Sequence, residues 1–329
     1  MARHSASHTR MILSYVFDYV ILIALGAIWG YIALLPPNFS RFSLNDITLQ
    51  YPIADPETVT DGALIVYSVL LPSLVILAWG LGIDMVRYRS PLKDRLWEVN
   101  VGILGLALSV TLSNVITISL KGIVGRPRPD SIARCMPAPG SADATPYGLS
   151  TIDICTQTDI MILNEGFRSW PSGHSSAAFS GLFYLALYLA GKLSLLDNKG
   201  EVWKSIIVMT PVLGALSIAA SRILDHRHHG TDVLTGSLLG VATSIMAYRL
   251  YYPALSDTVK QGKAYAFRVW GEMKVSPSLE AGTAADTRDD EELIGGDAFR
   301  RRGNGRGFTD DAGLTSSQRQ DPFADDDNA

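Results

Sequence analysis

Three short clusters carry residues whose types and spacing could do chemistry. The first is Lys121-Gly-Ile-Val-Gly-Arg126-Pro-Arg128-Pro129 and the second is Ser169-Trp-Pro171-Ser172-Gly173-His174-Ser175-Ser176. The third is Ser221-Arg222-Ile-Leu-Asp225-His226-Arg227-His228-His229-Gly230-Thr231-Asp232. Lys121, Arg128 and Arg222 supply cationic donors, and arginine grips phosphate oxygens in a bidentate fork. Ser172 and Gly173 fall where a helix should open, so free N–H groups and the positive dipole end favour an anion. Gly230 and Thr231 open another helix in the same way. The result is a phosphate cradle without a Walker-type loop, suited to the charge of a pentacoordinate phosphoryl group. Turnover needs a nucleophile and an acid. His228 and Asp232 are four apart and share a helical face, so the carboxylate can orient Nδ1 and leave Nε2 free to attack phosphorus. Asp225, three before His228, is a second candidate for that orienting role. His174, on another helix, can protonate the leaving oxygen and then activate water. Two histidines in different roles need no metal or other cofactor. The competing chemistry is a zinc site at His226, His228 and His229.

These clusters need elements to position them, and the apolar residues provide those elements. The chain has 329 residues, 47% apolar and 18% charged, with the apolar residues in long blocks. A bilayer core of about 30 Å requires about 20 apolar residues in a helix, because lipid satisfies no backbone group. Such stretches run over Ile12–Leu35, Gly62–Val86, Val99–Leu120, His174–Ala190, Ile206–Ala220 and Val233–Tyr252. The fifth is short and contains Pro211. The expected fold is therefore all-α, a polytopic membrane protein with six transmembrane helices in a bundle. All three clusters sit at span ends on one face. A lone basic residue at a helix end ordinarily snorkels or marks topology. Three clusters converging at one depth point instead to a polar basin.

Basic residues in short loops set the orientation. Arg87, Arg89, Lys93 and Arg95 follow the second span, and Lys192, Lys199 and Lys204 follow the fourth. Both termini and these loops are then cytosolic, and the basin faces the lumen or exterior. The third loop is also basic, which the phosphate-holding role explains. It holds both cysteines, Cys135 and Cys155, and an even count in an oxidising compartment suggests one disulfide. The net charge of −4 combines acids in the C-terminal region with bases beside the spans, so the global figure says nothing useful about nucleic acid; the expected partners are the lipid bilayer and a membrane lipid phosphate, with no nucleic acid. The expected organisation is a cytosolic N-terminal tail over 1–11, a catalytic membrane domain over 12–252 and a disordered cytosolic tail over 253–329. The tail contains an acidic dileucine-like string, Asp289 to Ile294, and an adaptor-like Asp321-Pro322-Phe323. Within the spans, Asp18 and Asp84 are read as packing or interfacial residues.

The clusters resemble the three-part signature of the type 2 phosphatidic acid phosphatase superfamily, K-x6-RP, PSGH and SR-x5-H-x3-D. Lys121, Arg128 and Pro129 match the first part, and Pro171 to His174 match the second. Ser221, Arg222, His228 and Asp232 match the third. The resemblance implies an all-helical bundle and a phosphohistidine on His228. It makes His174 the general acid/base and Asp232 the orienter of His228. Lys121, Arg128, Ser172, Gly173 and Arg222 would hold the phosphate, without Mg2+. The context Gly125-Arg126-Pro-Arg128-Pro-Asp130, with Cys135 and Glu165-Gly-Phe-Arg-Ser-Trp, is similar to fungal diacylglycerol pyrophosphate and lipid phosphate phosphatases. The implied substrates are phosphatidate, diacylglycerol pyrophosphate and lysophosphatidate, and a vacuole-like compartment, the Golgi and the plasma membrane all fit. Polyprenyl diphosphate phosphatases and lipid headgroup or phosphoryl transferases of the same superfamily are the alternatives. Soluble haloperoxidases share the signature but lack such spans.

Overall fold

The computed structural model describes residues 2–88, 91–146, 148–257 and 262–266. Among them the chain is helical, with isolated bridges such as Phe42 to Ser150 in place of strands. The helices are α1 (Ala2–Leu34), α2 (Asp61–Val86), α3 (Leu92–Val124), α4 (Ser131–Cys135), α5 (Ile160–Gly166), α6 (residues 173–192), α7 (Val202–Leu224) and α8 (Gly230–Tyr251). Five are long and apolar enough to cross a membrane: α2, α3, α7, α8, and α1 over Leu13–Leu34. The expected fourth span, His174–Ala190, lies on α6. That helical path is broken by a π turn at Phe179–Phe183 and is largely buried within the bundle. Its serines, Ser175, Ser176 and Ser180, are buried inside the bundle, so this helix can be less apolar than the rest.

Small residues let the helices close on α6. Along α3, the buried positions Gly102, Gly105, Ser109, Ser113, Thr117 and Lys121 recur every three or four residues and form one stripe. Ser109 donates to the Ser180 carbonyl at 2.8 Å, and Thr117 donates to Ser176 Oγ at 2.9 Å. Such hydroxyl bonds hold helices together where lipid offers no hydrophobic drive. The stripe ends on Lys121, so the packing that seats α3 also aims this lysine at the start of α6. On α8, a Cβ at Gly240 would sit 2.6 Å from the Ser176 carbonyl oxygen, and one at Gly236 would sit 2.5 Å from that of Ser172. Glycine there permits the close crossing that brings the two helix starts together.

Two sequence expectations change. The fifth span was expected over Ile206–Ala220, but α7 runs from Val202 to Leu224. Its polar ends, Lys204, Ser221 and Arg222, are buried against partners and are not loop residues. Pro211 lies inside the helix, which continues past it without that N–H. The packed body also extends beyond Tyr252. The Tyr265 amide donates to the Tyr251 carbonyl at 3.0 Å, and the Ala264 amide donates to Glu98 at 2.8 Å. Part of the segment expected as disordered tail is therefore packed, and helix α1 already includes residues 2–11. The Asp289 to Ile294 and Asp321 to Phe323 strings lie outside the described residues. Asp84 matches its packing role, pairing with buried Lys192 at 3.3 Å, beside Glu98 at 3.0 Å.

Candidate active site

At the end of the bundle where α6 and α8 begin, residues 36–60 and 126–172 form a cap. A small core of Phe42, Leu49, Cys135 and Phe167 fills it, and a disulfide joins Cys135 to Cys155. Helix α3 stops at Gly125, whose left-handed φ of 59° suits glycine. A Cβ there would also collide with the Asn38 carbonyl oxygen, 1.6 Å away. This stop turns Arg126 and Arg128 back over the bundle. Ser172 caps α6 and donates its amide to the Asp232 carbonyl at 3.0 Å, tying the first turns of α6 and α8 together. Gly173 leaves room for Lys121, whose Cε would be 3.6 Å from an added Cβ.

The structure brings all the expected residues into one basin. Lys121, Arg128, Ser172, Arg222, His228 and Asp232 are buried, while Gly173 and His174 are partly so. Each cation rests on protein oxygen. Lys121 donates to the Arg168 carbonyl at 2.5 Å, and Arg128 donates to Glu165 at 2.5 Å. Arg222 donates to Glu57 at 2.7 Å and to Asp225 at 2.8 Å. Asp225 is thus a partner of Arg222 and of Thr58, and not the second orienter of His228. His174 Nε2 lies 3.1 Å from the Val59 carbonyl oxygen.

Asp232 has more partners than expected. It accepts from Ser169 Oγ at 2.5 Å, from Arg126 at 2.6 Å and from the His229 amide at 3.0 Å. His229 Nδ1 lies 3.2 Å from it, whereas His228 Nδ1 stands 3.9 Å away. Spacing alone favoured His228, but His229 is the N-cap of α8 and Asp232 its third residue, so a capping box draws the carboxylate toward His229. The histidine run splits three ways, since His226 stacks on Tyr51 at 4.1 Å between ring centroids. Among the described residues no three metal-ligating side chains converge.

Burial pushes the His228 imidazole well below its ordinary value, and the charges of Arg128, Lys121 and His174 push it further. Both effects disfavour the imidazolium and favour the neutral ring, which carries the lone pair a nucleophile needs. Burial would raise Glu165, but Arg128, Lys121, Arg168 and Arg134 outweigh it and hold the carboxyl at about 2.

Several contributors have no signal in the motif spacing. Glu57 comes from the loop before α2 and bridges Arg222 and Arg227. Arg168 reaches the carbonyls of Ala33 and Leu35, capping the end of α1, and its own carbonyl seats Lys121. Glu165 and Arg168 belong to the Glu165-Gly-Phe-Arg-Ser-Trp stretch noted for its resemblance. The signal there was present without a role attached.

Comparison with known proteins gives the same family. Residues 102–255 match the PAP2 superfamily model. The chain is 36% identical over 251 residues to "Probable diacylglycerol pyrophosphate phosphatase 1" of Schizosaccharomyces pombe, covering 75% of this chain and 85% of that protein. It is 37% identical over 246 residues to "Diacylglycerol pyrophosphate phosphatase 1" of Saccharomyces cerevisiae, covering 74% and 80%. It is 35% identical over 237 residues to "Lipid phosphate phosphatase 1" of Arabidopsis thaliana, covering 72% and 68%. With the complete three-part signature gathered in one basin, these matches show that the chain belongs to the PAP2 superfamily.

Proposed function

We propose that this chain is a membrane lipid phosphate phosphatase acting on phosphatidate, diacylglycerol pyrophosphate or lysophosphatidate through a phosphohistidine on His228. The observation that carries this is the buried His228, 3.9 Å from Asp232, at the end of the bundle that also buries Lys121, Arg128 and Arg222. A phosphate entering the basin meets those cations, Arg222 and the free N–H groups at the start of α6, and competes with Glu165 and Glu57 for the guanidiniums. His228 Nε2 attacks phosphorus, forming a P–N bond as the bond to the leaving oxygen breaks. His174 gives its proton to that oxygen. It then takes a proton from water, which attacks phosphorus, breaks the P–N bond and releases inorganic phosphate. Asp232 stabilises the histidine cation that develops, and the fixed cations stabilise the equatorial oxygens.

The Cys135–Cys155 disulfide in the cap and the basic loops at the opposite end support a basin on the luminal or exterior side, with cytosolic termini. The relatives' names support a glycerolipid substrate. The test is phosphate release by the purified protein in mixed detergent–lipid micelles with excess EDTA. Phosphatidate, diacylglycerol pyrophosphate and a polyprenyl diphosphate are compared, with His228→Ala as control. Release from the glycerolipids that is lost in the variant is the expected result. Release that needs added metal, or that survives the substitution, overturns the mechanism.

A further inference from the structure

Arg227 is a basin cation that the three-part signature leaves out. It lies between Arg222 and His228 in a stretch where the chain folds back on itself. The Arg227 and His228 amides both donate to the Arg222 carbonyl, at 3.1 and 3.3 Å. His226 supplies the reversal at a left-handed φ of 51° and is held there by its stack on Tyr51. The turn brings the Arg227 side chain to the same carboxylate as that of Arg222. Glu57 Oε2 lies 2.7 Å from Arg222, and Glu57 Oε1 lies 2.8 Å from Arg227.

Two arginines closed on the two oxygens of one carboxylate make an anion site that a side chain fills. Glu57 is the displaceable member. It lies on a loop with its side chain 29% exposed, whereas those of Arg222 and Arg227 are 1% and 13% exposed. The loop does not need Glu57 to hold it, because Asp225 accepts from the Thr58 amide at 3.0 Å and from its hydroxyl at 2.6 Å. Arg227 is also incompletely bonded. Its Nη2 serves Glu57 and the Ala54 carbonyl, but its Nε is buried without a hydrogen-bond partner. Asp130 stands 4.0 Å from that Nε and is already paired with Arg134 at 2.8 Å. Burial and the charge of Arg134 push the Arg227 guanidinium below its ordinary value, which Glu57 only partly opposes. Donors and positive charge are therefore left for a ligand more anionic than one carboxylate. The same loop sets the Val59 carbonyl 3.1 Å from His174 Nε2, so Glu57 stands on the general acid's side of the basin, where a leaving group departs.

We infer that Arg227, with Arg222, receives the inner phosphate of a diphosphate lipid in the place Glu57 holds, and that Arg227 thereby favours diphosphate over monophosphate lipids. The inference rests on the lipid phosphatase function proposed above and names the substrate class that this site selects. His228 Nε2 attacks the terminal phosphorus, and the bond from that phosphorus to the bridging oxygen breaks. The bridging oxygen keeps the electron pair and departs on the inner phosphate as the lipid monophosphate. Negative charge grows on the inner phosphate during this step, and Arg227 stabilises it there. A monophosphate lipid carries no second phosphate to reach Arg227, and its leaving oxygen draws on the His174 proton instead.

The experiment compares wild type and Arg227→Gln in detergent micelles with excess EDTA. The substrates are diacylglycerol pyrophosphate and phosphatidate with identical octanoyl chains, so that only the second phosphate differs. Arg227→Gln is expected to lower kcat/KM for the diphosphate by about thirtyfold or more and that for phosphatidate by less than about threefold. Equal losses on both substrates, or no loss on the diphosphate, overturn the inference. So does a wild type that hydrolyses phosphatidate but not the diphosphate. Hydrolysis of neither lipid by wild type overturns the lipid phosphatase function itself. Should Arg227→Gln fail to fold, Glu57→Gln takes its place, since it frees both guanidiniums while Thr58 keeps the loop on Asp225. It is expected to lower the Ki of methylenediphosphonate by about fivefold or more and that of methylphosphonate by less than about twofold. Equal changes in the two constants, or no change in either, overturn the second phosphate position.

Discussion

The Asp232 carboxylate stands 3.9 Å from His228 Nδ1 while the His229 amide, 3.0 Å away, binds the same oxygen. One side chain thus closes the first turn of α8 and backs the proposed nucleophile. The capping box and Arg126 fix its position beside the buried His228.

Asp232→Asn therefore affects two properties by different amounts. Loss of the charge behind His228 is expected to reduce kcat by about a hundredfold or more. Loss of the cap and the Arg126 pair is expected to cost about 1–2 kcal/mol of stability. Thermal unfolding and kcat measured on the same preparation check both; a small kcat effect with full destabilisation would leave the carboxylate as a cap alone.

The pH profile follows from the electrostatics of His228. Because burial and cations hold its imidazole low, it stays unprotonated as pH falls through about 6.5, the ordinary histidine value. The acid limb of kcat assigned to the nucleophile is expected below that value. Arg128→Gln removes one of those positive charges, which makes protonation easier and raises the His228 value. Its acid limb is expected at higher pH than in wild type, and a shift toward lower pH would contradict this.

Close packing of α8 on α6 makes Gly240 intolerant of a side chain. Gly240→Ala places a methyl 2.6 Å from both the Ser176 carbonyl and Phe179 Cβ and is expected to destabilise by about 1–3 kcal/mol. Gly122→Ala, with nothing within 4 Å of its Cβ, is the matched control and is expected to be neutral or slightly stabilising. Thermal unfolding in detergent distinguishes them.

The disulfide closes a loop of 20 residues in the cap. Replacing Cys135 and Cys155 together by serine is expected to cost about 3 kcal/mol of cap stability. The readout is proteolysis of the cap, with bundle helicity by circular dichroism unchanged.

Much of the site could be read from sequence because it is built from helix ends. Lys121 and Arg128 lie either side of the glycine stop that ends α3. Ser172 is a capping residue by type, and His228 and Asp232 flank the start of α8. Their partners could not be read this way, because Glu57 and Arg168 reach the basin from loops and Glu165 from the short helix α5, and no periodicity links them to it. The competition between His229 and His228 for Asp232 was not legible, because His-x-x-Asp is not a capping-box pattern and helical spacing alone favoured His228. In the fold, α7 outran its apolar stretch because Lys204 and Arg222 are buried in partners. The serines of α6 likewise mark helix contacts and not a break in the span.

The most direct test of the central claim is chemical identification of the intermediate. The purified protein is mixed with phosphatidate carrying radiolabelled phosphate and quenched in alkali within the first turnover, and its peptides are then mapped. Alkali-stable, acid-labile label on the peptide of His228, absent in His228→Ala, is the result predicted. Turnover without labelled protein, or label that persists in His228→Ala, would contradict the mechanism.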